Sequence, residues 1–323
     1  LEKEAWDFCL LSLGAAHRGG HKLWDRSSIR GELKPNDEAL YDHALRDIYA
    51  ACDESVGTLA KQCDENTTLL VCSLHGMQKS TSRFDMLPPM LDRVLAGGPL
   101  LDRSERRRSG VLQFLRSKTP LEWRTAAKSW FPESLQDWLS LYWRGVDQRD
   151  WATTRAFPLM GDLQALVQIN LKGREAQGIV EPGQEYEALL SEIAEGLQSF
   201  VDVDTGEAVV RQIARGSDLY PEAHTRRFLP DLIVDWSDSA CCEHRAIHAP
   251  RYGQIDWPHP GHPLDGRSGH HTPEGWLLAV GKGVTSGTAL QGVHSHDLNA
   301  TIHALLDVPR PDLMRGEPIP GIH

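Results

Sequence analysis

The feature that most constrains this chain is a pair of apolar runs with a helical pattern between them. "FCLLSL" at 8–13 is followed by a segment whose Leu40, Ala44, Leu45, Ile48, Ala51, Val56, Leu59 and Ala60 recur at helical spacing. Pro35, Asn36 and Asp37 supply the start signals of that helix. "TTLLVCSLHGM" at 67–77 then returns to an unbroken apolar run, too short for a helix. Strand, helix, strand is the unit of a parallel α/β sheet, in which ligands gather at the carboxyl ends of the strands. His17 and His75 follow those two strands. The expected fold class is therefore α/β, with a central, mostly parallel sheet and helices on both faces.

Later segments extend the pattern. "ALVQI" at 165–169, "PDLIVDW" at 230–236 and "WLLAVG" at 276–281 read as strands, while "EYEALLSEIAEGLQSFV" has the apolar stripe of an amphipathic helix. A last helix, "HDLNATIHALLDVPRPD", is halted by Pro309 and Pro311. Between the second and third strands the composition changes, with "DRSERRRSG", several tryptophans and short helical patterns around "LQDWLSLYWRGVDQRDW". The expected organisation is a metal-binding core at 1–80 and 246–323, with an insertion or cap at 81–245 that adds core strands. Arg106, Arg107 and Arg108 read as a solvated face.

Charge and hydropathy remove several function classes. Lys and Arg number 34 against 45 Asp and Glu, a formal net charge of −11 over 323 residues, so no broad basic surface exists for nucleic acid or anionic membrane. The apolar runs are far below the roughly 20 residues that cross a bilayer, and no basic region followed by an apolar stretch marks a signal peptide. Neither nucleic acid nor a membrane is expected as a partner. The six cysteines lack paired CxxC spacing, and several sit in apolar runs as small buried hydrophobes. A reducing cytoplasm is the expected compartment.

Of the 15 histidines, many fall in the Pro- and Gly-rich stretch 241–275, where His244, His248, His259 and His262 each read as idle loop residues. His17 and His21 carry more information. Four residues are about one helical turn, which puts both imidazoles on one side, as helical zinc motifs do. Gly19 and Gly20 between them weaken a helix and favour a tight ligand turn. Spacing alone leaves open whether these rings hold a metal or merely share a polar face. Lys172 and Arg174 in "NLKGRE" are candidates for a substrate phosphate, the alternative being ion pairs with Glu175 or Glu181. "GKGVTSG" at 281–287 lacks P-loop spacing and reads as a turn.

The order of segments carries a resemblance. "FCLLSLGAAHRGGHKLWD", "LLVCSLHGM", "INLKGREAQGIVEPGQEYEALLSEI", "PDLIVDW", "RSGHHTPEGWLLAVGKGV" and "HDLNATIHALLDVPRPDLMRGEPI" follow one another as in the alkaline phosphatase superfamily. Within it, the chain resembles the branch of type I phosphodiesterases and nucleotide pyrophosphatases, from about residue 5 to residue 319. The resemblance implies an alkaline-phosphatase-like sheet and two metals, usually zinc, beside a Ser or Thr nucleophile. One metal is held in the family by Asp, His and His, the other by two Asp and a His. Carried over residue by residue, the first site is His17 in the place of the Asp, His21, and the distant His271, with His270 its neighbouring alternative; the spacing to Gly275 favours His271.

This chain departs from that pattern in the second site. Leu74 stands where the family has its strand-end Asp, leaving His75, and the strand carrying the nucleophile and the remaining Asp falls before Leu1. The chain is then either part of a longer product or a shortened member of the family. Three histidines with an open position are an accepted catalytic zinc arrangement. The expected function is thus a metal-dependent hydrolase or group transferase for small-molecule phosphate or sulfate esters, using one zinc or other divalent transition metal, with His75 as a catalytic group. The alternative is a degenerate member serving as a binding or scaffold protein. Sequence gives no oligomeric state.

Overall fold

A computed structural model of the chain describes residues 6–25, 35–99, 149–159, 161, 163–221, 229–239, 245–257 and 267–323. In chain order the elements are α1 (Gly14–Leu23), α2 (Pro35–Ala60), β1 (Thr68–Ser73), β2 (Gly76–Lys79), α3 (Leu87–Ala96), β3 (Ala156–Leu159) and β4 (Ala165–Ile169). They continue with α4 (Gln184–Gln198), β5 (Val201–Asp202), β6 (Val210–Arg215), α5 (Gly216–Leu219) and β7 (Leu232–Trp236). The last are β8 (Ala246–Ala249), β9 (Gly253–Asp256), β10 (Gly269–Thr272), β11 (Trp276–Gly281) and α6 (Ser295–Leu305). The chain divides into two compact units, residues 1–80 with 261–323, and residues 81–260.

The first unit is built on a bent two-stranded ribbon. β1 and β2 form one extended run interrupted at Leu74 and His75, and β11 and β10 form its antiparallel partner, interrupted at residues 273–275. Register runs from Thr68 opposite Gly281 to Ser73 opposite Trp276, and resumes from Gly76 opposite Thr272 to Lys79 opposite Gly269. α1 packs on both α2 and β10. α6 opens with a capping box between His294 and Asp297, and ends at Leu305, two residues before Asp307 takes a left-handed φ of 51°. That bend comes ahead of both prolines expected to stop it.

The second unit holds a four-stranded sheet in the order β3-β4-β7-β6 and a three-stranded sheet in the order β5-β8-β9. Glu185 and Glu187 in the first turn of α4 complement the positive end of the helix dipole. Leu189, Leu190, Ile193 and Leu197 lie on one face of that helix and are buried with Met90, Leu91 and Val94 of α3 and with Val167, Ile169, Leu232 and Val234 of the larger sheet. The main hydrophobic cluster among the described residues therefore lies in the second unit.

Two expectations are corrected. Residues 8–13 are not a strand: the segment has no strand partner, and Leu10 and Leu11 are 80% and 56% exposed. A run of apolar residues records hydrophobicity but not a pairing partner, and here none of the described strands lies beside it. A central parallel sheet is likewise not found among the described residues. Every pair of named strands there is antiparallel, β1 is half-buried, and the strand that meets it, β11, lies some 200 residues later in the chain. The chain is a mixed α/β protein with several small sheets. Residues 106–108, the helical patterns of 135–148, and His244, His259 and His262 lie outside the described residues; His248 is exposed on β8.

Candidate metal centre

α1 carries His17 and His21 one turn apart, and its glycines determine how closely it docks. Gly19 and Gly20 are buried within an unbroken helix, so the ligand turn expected from them is not formed. A Cβ on Gly19 would lie 2.8 Å from Ile48 Cδ1 of α2, and one on Gly20 would lie 2.8 Å from Met77 Cε of β2. Each glycine costs a helix interior about 1 kcal/mol relative to Ala. Close packing on both sides offsets that cost.

β10 makes the tightest approach. A Cβ on Gly269 would stand 2.2 Å from the Gly20 carbonyl oxygen, so only glycine lets the strand backbone reach the helix backbone. The contact is closed by Ser268 N–H donating to the His21 carbonyl at 2.8 Å and by His21 Nδ1 donating to the Gly269 carbonyl at 2.8 Å. Asp25 N–H donates in turn to Ser268 Oγ at 3.1 Å. With Nδ1 engaged, His21 presents Nε2 as its ligand atom, the arrangement by which an outer hydrogen bond fixes the tautomer and ring orientation of a metal-binding histidine. Gly269→Ala is expected to lower both the Tm and the metal affinity, the latter by about 10–100-fold as for losses of such supporting bonds. Thermal melting with and without zinc checks it, and an unchanged zinc affinity would contradict the role given to this approach.

Adjacent residues of β10 face opposite sides. His270, 6% exposed, meets its cross-strand neighbour Gln78, whose Nε2 lies 2.8 Å from His270 Nε2. His271 faces the other way, with ring centroids 4.9 Å from His17 and 4.8 Å from His21, and its Nε2 is buried from solvent. One ligand nitrogen from each of His17, His21 and His271 lies within 4.8 Å of the others. His75, in the bend between β1 and β2, adjoins this group without being part of it. Its ring is 3.9 Å from that of His271 and 5.5 Å from that of His17, and its Nδ1 donates to the Gly76 carbonyl at 3.2 Å.

Desolvation against the cluster, and then the charges of His21, His75, Arg267 and Arg18, hold His17 below its ordinary value of 6.5, although the residue as a whole is exposed. A neutral ring keeps its lone pair for a metal at neutral pH. The donor set fits a divalent transition ion: three nitrogens with no carboxylate among them suit zinc or a neighbouring metal, and leave its full double charge for an anionic ligand. Leu74, 59% exposed, offers no metal donor, and the three-histidine group is the only set of three or more ligand residues found among the described residues.

Lys172 and Arg174 lie in the second unit, and each is engaged with carboxylates. Lys172 pairs with Glu181. Arg174 grips Asp231 with two bonds of 2.8 and 2.6 Å, and donates to Glu175 at 2.9 Å and to the Ile169 carbonyl at 2.7 Å. Asp231, its side chain 4% exposed, also accepts from the Tyr186 hydroxyl and from Ile169 N–H, both at 2.6 Å. Burial, and then the Asp231 carboxylate, push the Tyr186 phenol well above its ordinary value. The network ties the segment after β4 to the start of β7, beside a cavity of about 710 Å³.

Sequence reasoning missed Ser268, Gly269 and Gln78, which orient the histidines rather than bind anything. The small pair "SG" ahead of "HH" was the available signal for a close backbone approach.

The family model for type I phosphodiesterase / nucleotide pyrophosphatase matches residues 1–241, a stretch that contains His17, His21 and His75. No curated protein and no solved structure matches the chain. No helix among the described residues is long and apolar enough to cross a membrane. With about three-quarters of its length matched, the chain belongs to the type I phosphodiesterase / nucleotide pyrophosphatase family of the alkaline phosphatase superfamily.

Proposed function

We propose that this chain hydrolyses small-molecule phosphate esters at a single-metal site formed by His17, His21 and His271. Membership of a phosphodiesterase family supports the reaction class, and the convergence of three imidazole nitrogens within 4.8 Å is the observation that carries the reading. An ion bound there would supply Lewis-acid polarisation of a phosphoryl oxygen and acidify the attacking water. His21, held by Gly269, and the exposed His17 sit on α1, and His271 comes from β10, so all three nitrogens are carried on regular elements. In the displacement, the water oxygen forms the new P–O bond, the P–O bond to the alcohol breaks, and one water proton ends on the departing alcohol oxygen. His75, 3.9 Å from His271 and donating only to a backbone carbonyl through Nδ1, is the group we assign to move that proton through Nε2. Arg174 and Lys172 belong to the frame of the second unit in this reading, since their charges are already met by carboxylates. The described cysteines, Cys9, Cys52, Cys63 and Cys72, are free thiols, and we place the reaction in a reducing cytoplasm.

The test is hydrolysis of bis(p-nitrophenyl) phosphate, p-nitrophenyl phosphate and p-nitrophenyl sulfate by the purified chain. Activity on a phosphate ester is expected to vanish with chelator and to return with zinc or manganese, and His75→Ala is expected to slow it while the metal stays bound. A metal-loaded chain that hydrolyses none of them would contradict the reading and favour a binding or scaffold role.

A further inference from the structure

The reaction as described meets the charge of the phosphate with the metal alone. The segments that carry the four histidines hold further cations. Over residues 14–25, 74–79 and 267–275 there are four Lys or Arg, namely Arg18, Lys22, Lys79 and Arg267, against two carboxylates, Asp25 and Glu274. The whole chain has the opposite balance, 34 against 45. Asp25, its side chain 15% exposed, faces Lys79 at 3.7 Å, and Glu274 is exposed in the bend between β10 and β11.

Two of these cations adjoin the ligands. Successive residues of an extended strand alternate sides, so residues 267, 269 and 271 share one. That side is turned to α1: a Cβ on Gly269 would meet the Gly20 carbonyl, and the His271 ring stands 4.9 and 4.8 Å from those of His17 and His21. Pairing with the β2 side continues back to Ser268, whose carbonyl accepts from Ser80 N–H at 2.8 Å while its own N–H donates to the His21 carbonyl. The half-buried Arg267 is thereby held at the same face as His271. Arg18 follows His17 on α1 and is exposed. Both guanidiniums lie close enough for their charges to bear on the His17 ring.

We propose that Arg267, together with Arg18, completes the anion site at the histidines, and that this site takes a doubly charged phosphate monoester in preference to a diester. The proposal rests on the metal-site reading above and narrows its substrate class. Arginine's planar fork donates two parallel bonds to phosphate oxygens. A monoester dianion has three terminal oxygens, enough for a metal and a guanidinium at once. A diester has two and puts an ester group in the place of the third. Neutral imidazole ligands leave the full charge of a divalent ion in place, so the second negative charge of the monoester is met by the ion and the guanidiniums together.

The experiment is calorimetric titration of the zinc-loaded full chain, at low salt and mildly alkaline pH, with methylphosphonate and with its monomethyl ester. The first is a dianion and the second a monoanion, and the readout is binding rather than turnover. Methylphosphonate is expected to bind about 10–100-fold tighter, the weight of a charge-assisted hydrogen bond. Arg267→Gln is expected to remove most of that difference while keeping its zinc, and Arg267→Lys, which keeps the charge without the fork, to retain part of it. Equal affinities for the two ligands in a wild-type chain that holds zinc would overturn the proposal while leaving the metal site standing. So would an Arg267→Gln chain that holds zinc and either loses nothing or weakens both ligands alike. If Arg267→Gln loses its zinc, the exposed Arg18→Gln decides: a severalfold loss confined to methylphosphonate supports the proposal, and no loss overturns it. A wild-type chain that holds no zinc and binds neither ligand removes the metal-site reading itself, and this proposal with it.

Discussion

His271→Ala is expected to reduce hydrolysis of a phosphate diester by the zinc-supplied chain by on the order of 10²–10³ or more, the loss seen when a single electrostatic donor to the transition state is removed. Two ligands, His17 and His21, sit on one helix turn, and a helix face alone leaves an ion open to water on its far side; His271 is the ligand that arrives from another element and closes the set. His270→Ala supplies the contrast, because that ring points to Gln78 across the strand. It is expected to lower stability and to keep the metal and most of the rate. Initial rates with saturating zinc, measured beside circular dichroism on each variant, separate the two. Equal losses in both variants would mean that folding of β10, rather than ligation, is what the substitutions remove.

Asp231→Ala is expected to destabilise the second unit by about 3–5 kcal/mol, the range for breaking a buried ion pair by removing one partner. Four donors converge on this carboxylate: two from Arg174, the Tyr186 hydroxyl and Ile169 N–H. Removing it leaves a guanidinium, 15% exposed, without its main counter-charge, and leaves a hydroxyl and a backbone N–H short of an acceptor. The double replacement Asp231→Leu with Arg174→Met is expected to cost less than the single one, since it withdraws both charges. Urea unfolding of the three proteins measures this. Full stability in Asp231→Ala, joined to a raised KM for the ester, would instead place Arg174 at the substrate.

How much of this was legible in the sequence depends on the element. The helices α2, α4 and α6 follow from apolar periodicity and start signals, which are local properties. Strand pairing is not local. "FCLLSL" and "TTLLVCSL" look alike, yet one lies exposed with no strand partner among the described residues and the other pairs with β11, because the partner is set by a segment some 200 residues away. The same distance hides antiparallel from parallel. At the site, the spacing of His17 and His21 left a metal and a plain helix face equally open, and it was the order of family motifs that joined them to His271. The two glycines between them misled for a physical reason: in isolation glycine weakens a helix, whereas here it admits Ile48 and Met77. For Lys172 and Arg174 the sequence already contained Glu175 and Glu181, but Asp231, which dominates the network, lies 57 residues from Arg174 and gave no local sign.

That one ion is held by His17, His21 and His271 can be read from the metal content of the chain. Elemental analysis of the wild-type protein after reconstitution is expected to give about one equivalent of zinc or another transition metal, with His21→Ala, purified in parallel, losing it. No metal in the reconstituted wild type, or the same content in His21→Ala, would contradict the claim.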